Sequence, residues 1–125
     1  MPSQNNSGRQ YDKSHAITIV AMVAIAANRF VAYDGGYATA AGGVKDSQGI
    51  SESAAAVNEA FQAVTRYSFP VEVSEAVAFG DYLKPAADGS GRAAVGTATV
   101  HCARALGAAA AGQLVEAQIV THRNA

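Results

Sequence analysis

A chain of 125 residues is most simply one domain, and half of its residues are apolar while only 15% are charged, which allows a modest core and excludes disorder over the whole length. Nine basic against ten acidic residues, a formal net charge of -1, leave no electrostatic footprint for a nucleic acid or an anionic membrane. The one cysteine, Cys102, excludes an intrachain disulfide and fits a reducing compartment.

Met1–Ser14 is polar and without periodicity, and reads as an N-terminal arm preceding a single domain over 15–125. Ala16–Ala27 is an apolar run after Arg9, Lys13 and His15. Ala24-Ile25-Ala26 resembles a signal-peptidase site, but the preceding polar region contains Asp12, and the run falls short of the ~20 residues that span a bilayer. A strand over Ile17–Ile25 buried on both faces is the better reading, given its β-branched content. Phe30–Tyr33 reads as a second strand closed by the turn Asp34-Gly35-Gly36. Tyr37–Ala41 can resume as strand, and Val44–Ile50 is loop or short strand around Gly49.

Ser51–Val64 has two readings. Ala54, Val57, Phe61 and Val64 lie at helical spacing, with Ser51 or Ser53 as N-cap, and periodicity alone favours one short amphipathic helix. The rival is a loop ending near Asn58-Glu59 and a strand over Ala60–Tyr67. Ser68–Ser74 is a strand in which Pro70 requires a strand start or an edge. Gly80-Asp81 turns into Tyr82–Lys84, Pro85 ends that strand, and Ala86–Gly91 is a polar tip. Thr97–Leu106 is a strand, Gly107–Gly112 a wide loop or one helical turn, and Leu114–Thr121 the closing strand. Turn signals at short intervals predict an all-β fold, a small barrel or sandwich of short antiparallel strands with at most one short helix.

Alanine is the commonest residue, against five tyrosines, four phenylalanines and no tryptophan. Alanine buries little area, and each Å² of apolar surface is worth only about 25 cal/mol. A thin core predicts extra burial against copies of the chain or a larger scaffold.

The sequence offers no catalytic constellation. His101 and Cys102 are neighbours, but on a strand they face opposite ways, which suits a buried cysteine and a half-exposed histidine better than a Cys–His pair. His101, Cys102 and His122 lack metal-ligand spacing, and His122 lies near a terminus expected to fray. The glycine pairs do not open a phosphate-binding helix. Arg29, Arg66, Arg92 and Arg104 stand singly on presumed strands, where a solvated face is the default. We therefore expect no enzyme activity, catalytic residue, metal or cofactor.

The stretch VEVSEAVAFGDYLKPAADGSGRA, followed by ARALGAAAAGQLVEAQIV, resembles the capsid cement, or head decoration, proteins of tailed bacteriophages. In that family a strand ends in a small-residue step, followed by Gly-Asp-hydrophobic-Leu and an acidic-Gly-Arg tip. An Ala-rich segment running into Leu-Val-Glu closes the domain. Here those are Ala76–Leu83, Asp88–Arg92 and Ala103–Glu116. The likeness covers roughly 15–121 and departs at Asn58-Glu59, where the family usually has Gly-Glu. It implies an all-β virion protein, made in the host cytoplasm, on the capsid exterior. Its partners would be the major capsid protein and itself, as a homotrimer or other small homo-oligomer, with neither nucleic acid nor membrane. It also implies strand over Ala60–Tyr67. Arg9, Tyr11 and Lys13 of the arm, with Tyr82, Lys84 and Arg92, are the candidate capsid or oligomer contacts. The alternatives are another phage or surface subunit, such as a tail or fibre component, and a small β-barrel enzyme or ligand binder using His101 or Cys102.

Overall fold

The computed structural model describes residues 16–39 and 43–124, with side chains through Val120. The arm over 1–14, and with it Arg9, Tyr11 and Lys13, lies outside the described residues. The fold is all-β, in two sheets. Strands β1 (Ala16–Val20), β2 (Phe30–Ala32), β3 (Ser47–Ser51) and β4 (Ala60–Val64) form the first, in the order β1-β4-β3-β2. Strands β5 (Ser68–Glu72), β6 (Tyr82–Pro85), β7 (Ala93–Val95), β8 (Val100–Ala105) and β9 (Leu114–Asn124) form the second, in the order β5-β9-β8-β6-β7. Pairing between named strands is antiparallel. A parallel bridge from Val73 to Ala93 curls the second sheet back on itself.

The second sheet repeats the first. Ala16↔Val64 and Val20↔Ala60 correspond to Ser68↔Gln118 and Glu72↔Leu114. Phe30↔Ile50 and Ile50↔Val64 correspond to Tyr82↔Arg104 and Arg104↔Gln118. Each unit bends at two corners. The corners are Ala24–Arg29, Ala54–Glu59, Ala76–Asp81 and Ala108–Gln113, all with alanine at their first and third positions. At the fifth, the backbone turns left-handed at Asn28, Asn58, Gly80 and Gly112, with φ of 64°, 71°, 88° and 84°. Glycine and asparagine enter that region at least cost, which explains the residue types. Paired corners cross through reciprocal backbone bonds between Ile25 and Ala55, and between Val77 and Ala109.

One side-chain bond recurs at the corners. Glu59 Oε1, Asp81 Oδ2 and Gln113 Oε1 accept the N–H of Ala56, Ala78 and Ala110 at 2.8, 2.9 and 2.9 Å. The first corner has Arg29 at this position, which offers no acceptor. There the Tyr37 hydroxyl accepts the Ala26 N–H at 2.7 Å. Ser51 Oγ accepts the Arg29 N–H at 3.1 Å and donates to the Ala26 carbonyl at 2.7 Å.

Each unit holds an equivalent core. Ile19, Ala21, Ile25, Val31, Phe61 and Ala63 fill the first, and Val71, Val73, Val77, Leu83, Val115 and Ala117 fill the second. The back of the first sheet, Phe30, Ala32, Ile50 and Val64, packs into the second core, while the first unit's own core forms a separate cluster.

Several expectations are corrected. β1 stops at Val20 and is an edge strand, with Ile17 43% and Val20 60% exposed; the apolar run beyond it is a corner. The helix favoured by periodicity over 51–64 is absent. Asn58 breaks it with a left-handed φ, and β4 follows, as the family resemblance implied, though it ends at Val64. Tyr37 makes an isolated bridge to Val31. A short 3-10 turn occupies Gly43–Lys45. The C-terminus does not fray before Asn124, since Val100 and His101 pair with Asn124 and Arg123.

Candidate functional site

Duplication gives two equivalent outer rows of side chains with different fates. In the first sheet Phe30, Ile50 and Val64 cross three strands and are 1%, 0% and 0% exposed. Their equivalents, Tyr82, Arg104 and Gln118, lie on the uncovered back of the second sheet. The row buried by the neighbouring unit is apolar, and the row facing solvent is polar.

Tyr82 anchors this surface. The Arg104 guanidinium lies 4.4 Å from its ring centroid and donates to the Gly80 carbonyl at 2.9 Å, which holds the cation over the aromatic face. The His101 ring packs against Tyr82 at 4.5 Å, with Nδ1 2.9 Å from the Thr97 carbonyl oxygen. Lys84 shares the outward face of β6 with Tyr82, two residues along. The structure thus brings together two of the sequence-predicted contacts and adds Arg104 and Gln118. Leu106 and Leu114 extend the surface, 42% and 54% exposed, and Phe79 stands at a corner tip, 74% exposed.

Arg92 lies elsewhere, at the junction of the two units. Its guanidinium is 3.9 Å from both Glu72 and Asp88. Arg29 donates to Glu72 at 3.1 Å and to the Ser90 carbonyl at 2.8 Å. Arg29 thus ties the first unit to the second, while Arg92 pairs within the second unit and shares Glu72 with Arg29. The solvated strand face expected for Arg29 is replaced by a corner position and a largely covered side chain, 19% exposed. Nearby, Ser90 N–H and Oγ hold the Asp88 carboxyl below its ordinary value.

The Cys–His reading has no geometric support. His101 and Cys102 are both buried, 8% and 3% exposed, so the expected half-exposed histidine is covered: its ring packs against Tyr82, while Cys102 joins the core. The two side chains meet different surroundings, Tyr82 of the outer row for His101 and the interior between the sheets for Cys102, as strand alternation predicts. Burial pushes the Cys102 thiol up to about 12, which keeps it a neutral, inert packing group. An open groove of about 820 Å³ between the sheets is lined by Ile17, Phe30, Tyr33, Arg66, Tyr67 and Ile119 among others. Among the described residues no cluster of three His, Cys, Asp or Glu side chains is placed to hold a metal ion.

The corner repeat was missed by element-by-element reading. Its signal is Ala-x-Ala followed two residues later by Asn or Gly, at Ala24, Ala54, Ala76 and Ala108; the same pattern also occurs at Ala38 and Ala103, so it marks a repeat only together with the spacing of the strands around it.

No family model matches the chain, and no curated protein matches it. Among solved structures, the fold is similar to the head fiber gp8.5 N base in bacteriophage phi29. The TM-score is 0.68 at 19% identity, covering 86% of this chain and 95% of that one.

Proposed function

We propose that this chain is a structural protein of a phage virion, carried on the outer surface of the head and without a catalytic role. The observation that carries the reading is the fold shared with a head fibre base over nearly the whole of both chains. The turn pattern that resembles cement proteins supports it independently. The chain binds the major capsid protein and associates as a small homo-oligomer, with the polar back of the second sheet, around Tyr82, Lys84 and Arg104, as the presented surface. The arm residues Arg9, Tyr11 and Lys13 add lattice contacts, and Arg92 acts through the rigidity of the unit junction.

Cementing follows from linkage. A clip that binds only the expanded head stabilises that state by about RT ln(1 + [L]/Kd) at each site, and repeated sites multiply the effect. The similarity to a fibre base favours a second reading, in which the domain is an attachment foot and adds no head stability.

Purified protein mixed with expanded heads and with procapsids decides among these outcomes. Cementing predicts saturable cosedimentation with expanded heads, weaker binding to procapsids, and a higher temperature of head breakdown. Binding without that thermal shift selects the attachment foot. Absence of binding to heads overturns the proposal. Deleting residues 1–14 lowers occupancy while the β domain stays folded.

A further inference from the structure

The two units differ at equivalent edge strands. In β5, Val73 donates to Gln113, so by strand alternation the polar groups of Ser68, Pro70 and Glu72 point away from β9. That edge is closed. Pro70 has no N–H, Glu72 N–H donates to the Asn28 carbonyl at 2.9 Å, and Asn28 Nδ2 donates to the Pro70 carbonyl at 2.9 Å. The edge at β2 is covered by Tyr37 and by Gly91, which accepts the Phe30 N–H. At β7, Glu75 accepts the Val95 N–H.

β1 has none of these guards. Ala21 donates to Glu59, so the polar groups of Ala16, Thr18 and Val20 point off the sheet. Thr18 stands where β5 has proline, and Val20 where β5 has glutamate. The strand Ala-Ile-Thr-Ile-Val has no charge, proline or glycine, the composition that leaves an edge open to pairing. The turn at Gly35 accepts the Met22 N–H and lies against the Val20 carbonyl, which a Cβ on Gly35 would strike, so the edge is open from Ala16 to the Val20 N–H. Among the described residues no partner meets the Thr18 or Val20 N–H.

We infer that this edge pairs with β1 of a second copy, antiparallel about a two-fold axis through Thr18. Ile-Thr-Ile is self-complementary in that register. Thr18 exchanges backbone bonds with its counterpart, and Val20 N–H meets the Ala16 carbonyl. Ile17 lies beside Ile19 of the other strand, which covers side chains now 43% and 60% exposed at Ile17 and Val20. No like charges meet, and the contact is closed and isologous. The rival occupant is the back of another copy's second sheet, imitating the contact between units. It is chemically mismatched: Gly80 replaces the Asn28 amide, its carbonyl is held by Arg104, and polar Tyr82 and Arg104 replace Phe30 and Ile50. The inference stands apart from the virion reading, because it concerns the isolated chain.

Sedimentation of the full chain over a concentration series tests it. The expected result is a reversible monomer–dimer equilibrium. Thr18→Pro copies the proline that β5 carries at the same register, with its nitrogen turned off the sheet, so the fold is retained and dimer affinity falls at least tenfold. Val20→Glu copies Glu72 and does the same through charge repulsion. Circular dichroism and the urea midpoint confirm folding of both variants. A wild-type chain monomeric at every concentration overturns the inference. So does association that survives Thr18→Pro, since the rival contact, like that of Asn28 with Pro70, needs no N–H at this position.

Discussion

Replacing Tyr37 by Phe removes one oxygen from the first corner and nothing else. The ring stays in place, including its contact with the Arg29 guanidinium, 5.9 Å from the ring centroid. What disappears is the acceptor 2.7 Å from the Ala26 N–H. Because Arg29 offers no substitute, the donor is left unpaired in a partly buried site. Leaving a buried donor unsatisfied costs about 1–3 kcal/mol, and partial burial places this case near 1–2 kcal/mol. With a urea slope of about 1–3 kcal/mol/M, the midpoint of unfolding falls by roughly 0.5–1 M at unchanged slope. Gln113→Ala makes the same deletion at an exposed corner, where water replaces the side chain, and moves the midpoint by less than half as much. Arg29→Gln in the Tyr37→Phe background supplies the acceptor that Gln113 provides at its own corner, so the double-mutant cycle shows a favourable coupling of about 1 kcal/mol. A Tyr37→Phe midpoint indistinguishable from wild type, with no coupling to Arg29→Gln, would refute the equivalence of the corners.

Gly91→Ala prevents native packing, because a Cβ there would lie 2.5 Å from the Tyr37 ring and 2.8 Å from the Phe30 carbonyl, at φ 75°; a loss of about 2 kcal/mol or more in denaturant unfolding checks it. Cys102 titrates near 9.0 when unfolded and is pushed up to about 12 by burial. The fold therefore loses stability as pH rises past 9, Cys102→Ala removes that alkaline slope, and native protein at pH 8 resists iodoacetamide until urea is added. Asp34 is held below its ordinary 3.8, chiefly by the Lys45 hydrogen bond. Its contribution is present above pH 3.8 and is lost as pH falls through the lower folded value. Asp34→Asn, which keeps the Gly36 bond through Oδ1, is less stable at neutral pH, and the difference closes in acid unfolding as pH falls below 3.8.

Most strands were legible because turn chemistry brackets them. Gly80-Asp81 and Pro85 delimit β6, and Pro70 correctly demanded an edge. The failures share a cause. Ala54, Val57, Phe61 and Val64 mimic a helical face because a corner and a strand abut: Ala55 is buried by its bridge to Ile25, and Phe61 and Val64 are buried from β4. Periodicity cannot see that the chain changes direction at Asn58. The length of β1 was overestimated for the same reason, since apolar residues continue from strand into corner while their burial does not: Met22 and Val23 are 55% and 41% exposed. His101 is buried by packing against Tyr82 of the neighbouring strand, a cross-strand contact that no residue type announces. Among the candidate contacts, Tyr82 and Lys84 were placed together by strand spacing alone. Arg104 joins them through cross-strand register, which a linear reading does not contain.

The duplication explains which surface is available for work. Two copies of one unit packed back to front bury one back and leave one open. Selection for packing then acts on Phe30, Ile50 and Val64 in the covered copy and is released at Tyr82, Arg104 and Gln118 in the other. Large-to-small changes in the first row cost core energy, about 3–5 kcal/mol for a residue like Phe30, and cannot be tuned for a partner without unfolding the domain. Changes in the second row touch solvent and one cation–π contact, so that row can be matched to a partner at little cost to the fold. The corners that cap each unit hold the Tyr82 row on a rigid frame, and rigidity lowers the ordering cost of docking.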